Sequence, residues 1–406
     1  MSKVATCKYL LTSLLFLLFH TTFLYGQNTI SANQGYVVQE KYMTTIPYTE
    51  VKGKIIIEVI INNKSRKFIL DTGASTVISE NLYKELNSKR LGKVEVNDAS
   101  DLKDSLNVVS ISEIKLNEVV FKDIPALVSN DVRLFFDCFG VEGFIGSNLL
   151  RNSIIQFDSK SKTIILSDNP KSLNLKRKDS NEMELTHIQS NPFVWIKLRK
   201  GKSVANEKIL FDTGDDGLYL MSINAYKHII SEKLDIIETL AESKGTFSAG
   251  LHGIAEKSNN FAINIPILDV NNLKLNNVTT RTTYAETSRF GSEILKYGKV
   301  TLDYKNKKFY IEPFVNSTEI NLDKGIWAID PVIENEKAVV GIIWDKTLEG
   351  KINVGDEILK FDDIDYQNLD FCEMVKSSNK IQKKSALLVL KDLKTGEIKK
   401  IEITKL

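Results

Sequence analysis

Two aspartates in this chain stand in the same local setting. Asp71 lies in the run Phe68-Ile69-Leu70-Asp71-Thr72-Gly73-Ala74-Ser75, and Asp212 in Ile209-Leu210-Phe211-Asp212-Thr213-Gly214-Asp215-Asp216. Each follows an apolar segment with strand character and precedes Thr and Gly. Two carboxylates at hydrogen-bonding distance do not both ionise cheaply, so they share a proton and their apparent pKa values separate. The ionised member takes a proton from water while the protonated member donates to a carbonyl, so acid and base are present together without a metal, cofactor or nucleophilic side chain. The flanking residues suit this chemistry. The hydroxyls of Thr72 and Thr213 are able to brace the opposite loop, and Gly73 and Gly214 admit close backbone approach with amides aimed at the carboxylates.

The elements that must position these aspartates occur twice. A β-branched run at 51–61, a turn at Asn62-Asn63 and a return at 66–70 lead into Asp71; a run at 193–199, a turn near Gly201 and a return at 207–211 lead into Asp212. Downstream, residues 144–166 align with 289–311, placing Gly146 with Gly291 and Asp158 with Asp303. The aspartates are offset by 212 − 71 = 141 residues and the glycines by 291 − 146 = 145. An offset held nearly constant across whole segments means duplication. Short helices are expected at 80–89, 148–152 and 222–234, and strands dominate elsewhere.

At these motifs the chain resembles an aspartic protease of the pepsin and retropepsin class, in the bacterial two-lobed, single-chain form with a C-terminal PDZ domain. The family pattern is two apolar residues, Asp, Thr or Ser, Gly, a small residue, then Ser or Thr, followed later in the lobe by two apolar residues and Gly. The first half carries it as Ile69 to Ser75 and Phe144-Ile145-Gly146. The resemblance implies a mainly β fold of duplicated pepsin-like lobes and a catalytic dyad of Asp71 and Asp212. It implies an active-site loop of Thr72, Gly73, Ser75, Thr213, Gly214 and Asp216, supported by Ile145, Gly146, Phe290 and Gly291, with a peptide substrate in the interlobe cleft. Residues 94–109 and 245–253 are candidates for the hairpin that closes over substrate in this family.

The second half departs from the pattern. Asp215-Asp216 replaces the small residue and Ser/Thr, and Arg289 stands at the first apolar position before Gly291. A third carboxylate at Asp216 facing the dyad would raise the pKa of its neighbours, and an Arg289 ion pair would offset it. These departures keep a second class open, a pepsin-shaped protein that binds peptides or an envelope partner without hydrolysis.

From about residue 319 the pattern changes to a third unit, a PDZ-like β-sandwich. Residues 354–365 (VGDEILKFDDID) resemble the strand after a tight turn in PDZ domains. The resemblance places the carboxylate-binding groove at Gly325 and Ile326, with Lys324 at a normally apolar position, and implies capture of a protein C-terminus or extended segment. The expected organisation is a signal peptide at 1–26, an N-terminal lobe at 27–167, a polar linker at 168–182, a second lobe at 183–315 and the PDZ domain at 319–406.

Composition excludes other classes. The 406 residues, 42% of them hydrophobic, are enough for two or three cores. With 54 Lys+Arg against 52 Asp+Glu, the formal charge of +2 supplies no field for nucleic acid. The four histidines lack ligand spacing and there is no CxxC or HExxH, so no metal is expected. The apolar stretch at 9–25 after Lys3 and Lys8 reads as an export signal, giving a periplasmic or secreted protein, with an uncleaved membrane anchor as the competing reading. Cys138 and Cys372 fall in different expected domains, and the expectation is that they remain unpaired.

Overall fold

The duplication is carried by two copies of one strand arrangement. The computed structural model describes residues 30–406 apart from 98–102, 130–135, 248, 251–252, 255–256, 272, 316, 323 and 378–382. The expected signal segment lies outside the described residues. Among those described, no helix is long and apolar enough to cross a membrane.

In the first half, Lys54–Ile61 and Lys64–Asp71 form a hairpin whose turn residues Asn62 and Asn63 both adopt the left-handed conformation. Asn tolerates that conformation better than most residues. Gly143–Gly146 then runs parallel to the second strand, pairing Asp71 with Gly146. In the second half, Pro192–Lys200 and Ser203–Phe211 make the matching hairpin, turning at Gly201, and Arg289–Phe290 runs parallel to its second strand, pairing Phe211 with Phe290. Longer hairpins follow in each half, Lys89–Asn97 with Lys103–Leu116 and Glu238–Gly245 with Ser258–Val270. The first spans the candidate closing hairpin at 94–109, and the candidate at 245–253 falls in the connection between the strands of the second; both candidates fall partly on residues that are not described. The helices Glu80–Leu86 and Ile223–Ser231 start at Ser79 and Ser222, whose hydroxyls accept from amides of the first turn.

A sheet shared by both halves joins them. Its strands run in the order Met43–Val51, Thr163–Ser167, Ile154–Asp158, Gly298–Asp303, Lys308–Pro313 and Asn181–Leu185, all antiparallel. The central pair takes one strand from each half. One continuous apolar core covers the two halves, with Phe68, Phe121, Phe157, Phe211 and Phe309 fully buried. The mainly β, duplicated architecture expected from the sequence is therefore the one observed.

The C-terminal unit has its own core, including Trp327, Ile358, Phe361 and Leu388. Its sheet contains Ile329–Glu334, Lys337–Ile343, Glu357–Phe361, Ser385–Lys391 and Ile398–Thr404. The helix Phe371–Lys376 begins in a capping box of Asp370 and Glu373. This unit packs on both halves. Val375 and Phe371 join Phe136, Phe139 and Phe144 of the first half in one apolar cluster. On the second half, Arg281 pairs with the buried carboxylate of Asp330, with Nε to Oδ2 at 2.5 Å, and Trp344 Nε1 donates to the same oxygen at 2.7 Å. The amide of Thr246 donates to the carbonyl of Gly341 at 3.1 Å.

One expectation is overturned here. Cys138 and Cys372 form a disulfide, joining the first half to the C-terminal helix across 234 residues of sequence. The expectation of free thiols rested on placing them in separately packed domains. The apolar cluster around Phe136, Phe139 and Val375 brings those domains together.

Candidate active site

Each aspartate ends a buried strand. Phe68, Ile69 and Leu70 are buried before Asp71, as are Ile209 and Phe211 before Asp212, so the chain can turn only where the apolar run stops. In each loop the glycine amide donates to the aspartate two residues back: Gly73 N to Asp71 Oδ1 at 2.9 Å and Gly214 N to Asp212 Oδ1 at 2.9 Å. The loops cross. Thr72 Oγ1 donates to Phe211 O at 2.7 Å and accepts from Thr213 N at 3.0 Å, while Thr213 Oγ1 donates to Leu70 O at 2.8 Å and accepts from Thr72 N at 3.1 Å. Both threonines are wholly buried, so all four bonds lie out of water, where leaving a partner unmet is costly.

This crossing brings the carboxylates face to face. A Cβ added at Gly73 would lie 2.5 Å from Asp212 Oδ1, and one added at Gly214 would lie 2.6 Å from Asp71 Cγ. Each glycine is therefore required by the aspartate of the other half. Burial, then the charge of Asp212 and a hydrogen bond to it, push the Asp71 carboxyl up to about 8, against the Lys54 ammonium and the Gly73 amide. The pair is placed to hold a proton between two carboxylates at near-neutral pH.

The supporting residues fall where the duplication puts them. Gly146 and Gly291 lie against the loops 74–76 and 215–217, too close for any side chain. Ile145 and Phe290 are fully buried beneath the aspartates. Ser147 Oγ donates to Thr72 O at 2.6 Å and meets the Tyr304 phenol at 2.9 Å. Ser75 turns to the junction between the halves, where its hydroxyl donates to Gln189 Oε1 at 2.7 Å.

Asp216 does not face the dyad. Its side chain is exposed and its Cβ lies against Gly53 of the first half. A cavity of about 290 Å³ there is lined by Tyr48, Lys52, Asp216 and Ser292, among others, and by neither aspartate of the dyad. The carboxylate that turns inward is Asp215. Its Oδ1 accepts from Gly217 N at 2.7 Å, and a Cβ at Gly291 would lie 2.8 Å from that oxygen. Burial pushes its pKa up, and the Arg289 guanidinium opposes that. Arg289 is itself buried, with Nη1 3.6 Å from Asp212 Oδ2. Asp215 was missed because the pattern match put Asp216 at the Ser75 position, and Asp215 then matched a small residue.

Two more residues touching the loops escaped the sequence reading. Lys54 Nζ donates to the carbonyl of Gly214, and Asn191 Nδ2 donates to the carbonyl of Gly73 at 2.6 Å. Lys54 stands three residues before Ile57, which pairs with Phe68, and Asn191 three before Val194, which pairs with Ile209. They are equivalent positions in the two copies. A lysine among apolar strand residues was the available signal.

The expected PDZ groove residues are engaged within the chain. Gly325, at φ +60°, lies against Leu406, whose amide donates to Ile326 O at 2.8 Å. Ile326 packs with Ala262, Ile342 and Trp344. Lys324 pairs with Glu293 and donates to the Tyr297 hydroxyl at 2.9 Å. Among the described residues no group of His, Cys, Asp and Glu is arranged to hold a metal ion.

Residues 57–152 match the family described as "gag-polyprotein putative aspartyl protease". The chain is similar to the retropepsin-like aspartic proteases. The match spans Asp71, its loop and Gly146, and it supports a peptidase of that class. Among solved structures, the chain is similar to a retropepsin-like aspartic protease from Rickettsia conorii at 20% identity, over 33% of this chain and 94% of that one, with a TM-score of 0.22. It is also similar to conglutin gamma, a basic 7S globulin from lupine seeds, at 11% identity over 68% and 96% of the two chains, TM-score 0.39. The basic 7S globulin from soybean gives 9% identity over 66% and 94%, TM-score 0.38. No curated protein matches the chain.

Proposed function

We propose that this protein is an exported aspartic endopeptidase in which Asp71 and Asp212 activate a water molecule between them. The observation that carries the reading is the reciprocal contact of Gly73 with Asp212 and Gly214 with Asp71, fixed by the crossed threonine bonds. The carboxylate of the pair takes a proton from water as the water oxygen bonds to the scissile carbonyl carbon. The protonated partner donates to the carbonyl oxygen, giving a gem-diol. Collapse returns a proton to the leaving nitrogen as the C–N bond breaks. The chemistry uses only groups of the two loops and needs no cofactor.

An extended peptide or protein chain is the substrate on this reading, bound between the halves. The C-terminal unit, read as a PDZ domain, recruits or regulates substrate while holding the halves through the disulfide and the Arg281–Asp330 pair. A disulfide supports an oxidising compartment, in keeping with export. The test is incubation with a defined peptide mixture read by mass spectrometry. Internal peptide bonds cut by the wild type and left whole by Asp71→Asn and Asp212→Asn are expected; cutting that survives in either variant would sink the proposal.

A further inference from the structure

Among the differences between the two halves, one places a cation beside Asp212. Phe144 pairs with Ile69 in the first half, and its counterpart Arg289 pairs with Leu210 in the second. Both are buried, so an apolar ring on one side is answered by a cation on the other. The guanidinium lies 3.6 Å from Asp212 Oδ2. Lys54, the cation that acts on Asp71, donates instead to the Gly214 carbonyl.

We propose that Arg289 decides which aspartate carries the shared proton: its ion pair keeps Asp212 as the carboxylate and leaves the proton on Asp71. This rests on the endopeptidase reading and assigns its roles. Asp212 is the base that takes the proton from water, and Asp71 is the acid that donates to the carbonyl oxygen. After the gem-diol forms, Asp212 gives its acquired proton to the leaving nitrogen. Asp71 then recovers one from the gem-diol hydroxyl, so one water is consumed and the starting state returns. Arg289 acts through Asp212 and is a positioning residue.

The groups that face the pair are consistent with the assignment. Beside the pair stand Asp215 and Arg289 from the second half and Lys54 from the first, with the Tyr304 phenol near Asp71, while Lys52 and Asp216 face the neighbouring cavity. Arg289 acts on Asp215 as well as on Asp212, and Lys54 acts on Asp71. An inward third carboxylate is tolerated next to the dyad because a cation of the same half stands beside it.

The experiment compares pH profiles of kcat/KM on one peptide for the wild type, Arg289→Leu and Arg289→Lys. Loss of the cation should move the acid limb of Arg289→Leu upward by about one pH unit or more, and Arg289→Lys should hold it near the wild-type position. A uniform loss of rate in Arg289→Leu with the limb unmoved would overturn the assignment. A second measurement needs no activity: ¹³C-carboxyl NMR of aspartate-labelled wild-type protein, with Asp71→Asn and Asp212→Asn used to identify the signals. Asp71 is expected to lose its proton at higher pH than Asp212, and the opposite order would overturn the proposal. This order is measurable even if the protein cuts no peptide, which separates failure of the assignment from failure of the endopeptidase reading.

Discussion

Lys54 and Asn191 occupy equivalent points of the two halves, and each donates to the glycine carbonyl of the opposite aspartate loop. Equal position with unequal charge makes the site a near-symmetric frame carrying an asymmetric field. Lys54→Met should move the alkaline limb of hydrolysis upward, because the ammonium holds the Asp71 proton less tightly bound than burial alone would. Asn191→Ala should leave that limb in place and lower stability by roughly 1–3 kcal/mol through the unmet Gly73 carbonyl. Activity across pH and urea unfolding distinguish the two effects.

The Asp71 carboxyl, pushed up to about 8, defines a pH window. Hydrolysis should persist at neutral pH and fall as the pH passes about 8, where the dyad loses its proton. Stability follows the same group. The folded state binds the extra proton between the ordinary value of 3.8 and about 8, so this contribution is whole below that range and is lost as the pH rises through it. Thermal unfolding between pH 4 and 8 should show a decline that Asp71→Asn flattens.

The crossed threonines make a stability prediction. Thr72→Val and Thr213→Val keep the shape and remove two of the four interlocking bonds each, leaving a carbonyl and an amide unmet in the interior. Each should cost on the order of 1–3 kcal/mol, and the double variant less than the sum, since both remove parts of one network. A double-mutant cycle in urea gives the coupling.

Reduction should loosen the C-terminal unit. The Cys138–Cys372 bond closes a long loop, for which about 2–4 kcal/mol of stabilisation is typical. Cys138→Ser, or a thiol reductant, should lower the unfolding temperature. It should also expose the segment between Pro313 and Ile329 to limited proteolysis, read by mass spectrometry of the fragments.

Much of this was legible in the residues. The period-2 apolar runs before Asp71 and Asp212, and the constant offset to Gly146 and Gly291, point to paired loops because strand ends and glycine approaches leave local marks. What sequence reading missed depends on contacts between distant segments. Whether Asp215 or Asp216 turns inward is decided by Gly217 and Gly291, which pack against the loop. Lys54 and Asn191 matter only once the hairpins meet the opposite half. The disulfide depends on how Phe136, Phe139 and Val375 pack, and no spacing rule reports that.

The most direct measurement is a catalytic double-mutant cycle on the dyad, comparing kcat/KM of the wild type, Asp71→Asn, Asp212→Asn and the double variant on one peptide. If the carboxylates act as a unit, each single change alone should remove about as much activity as both together, at least about a thousandfold. Losses that multiply, or a single variant that keeps most of its activity, would contradict the account.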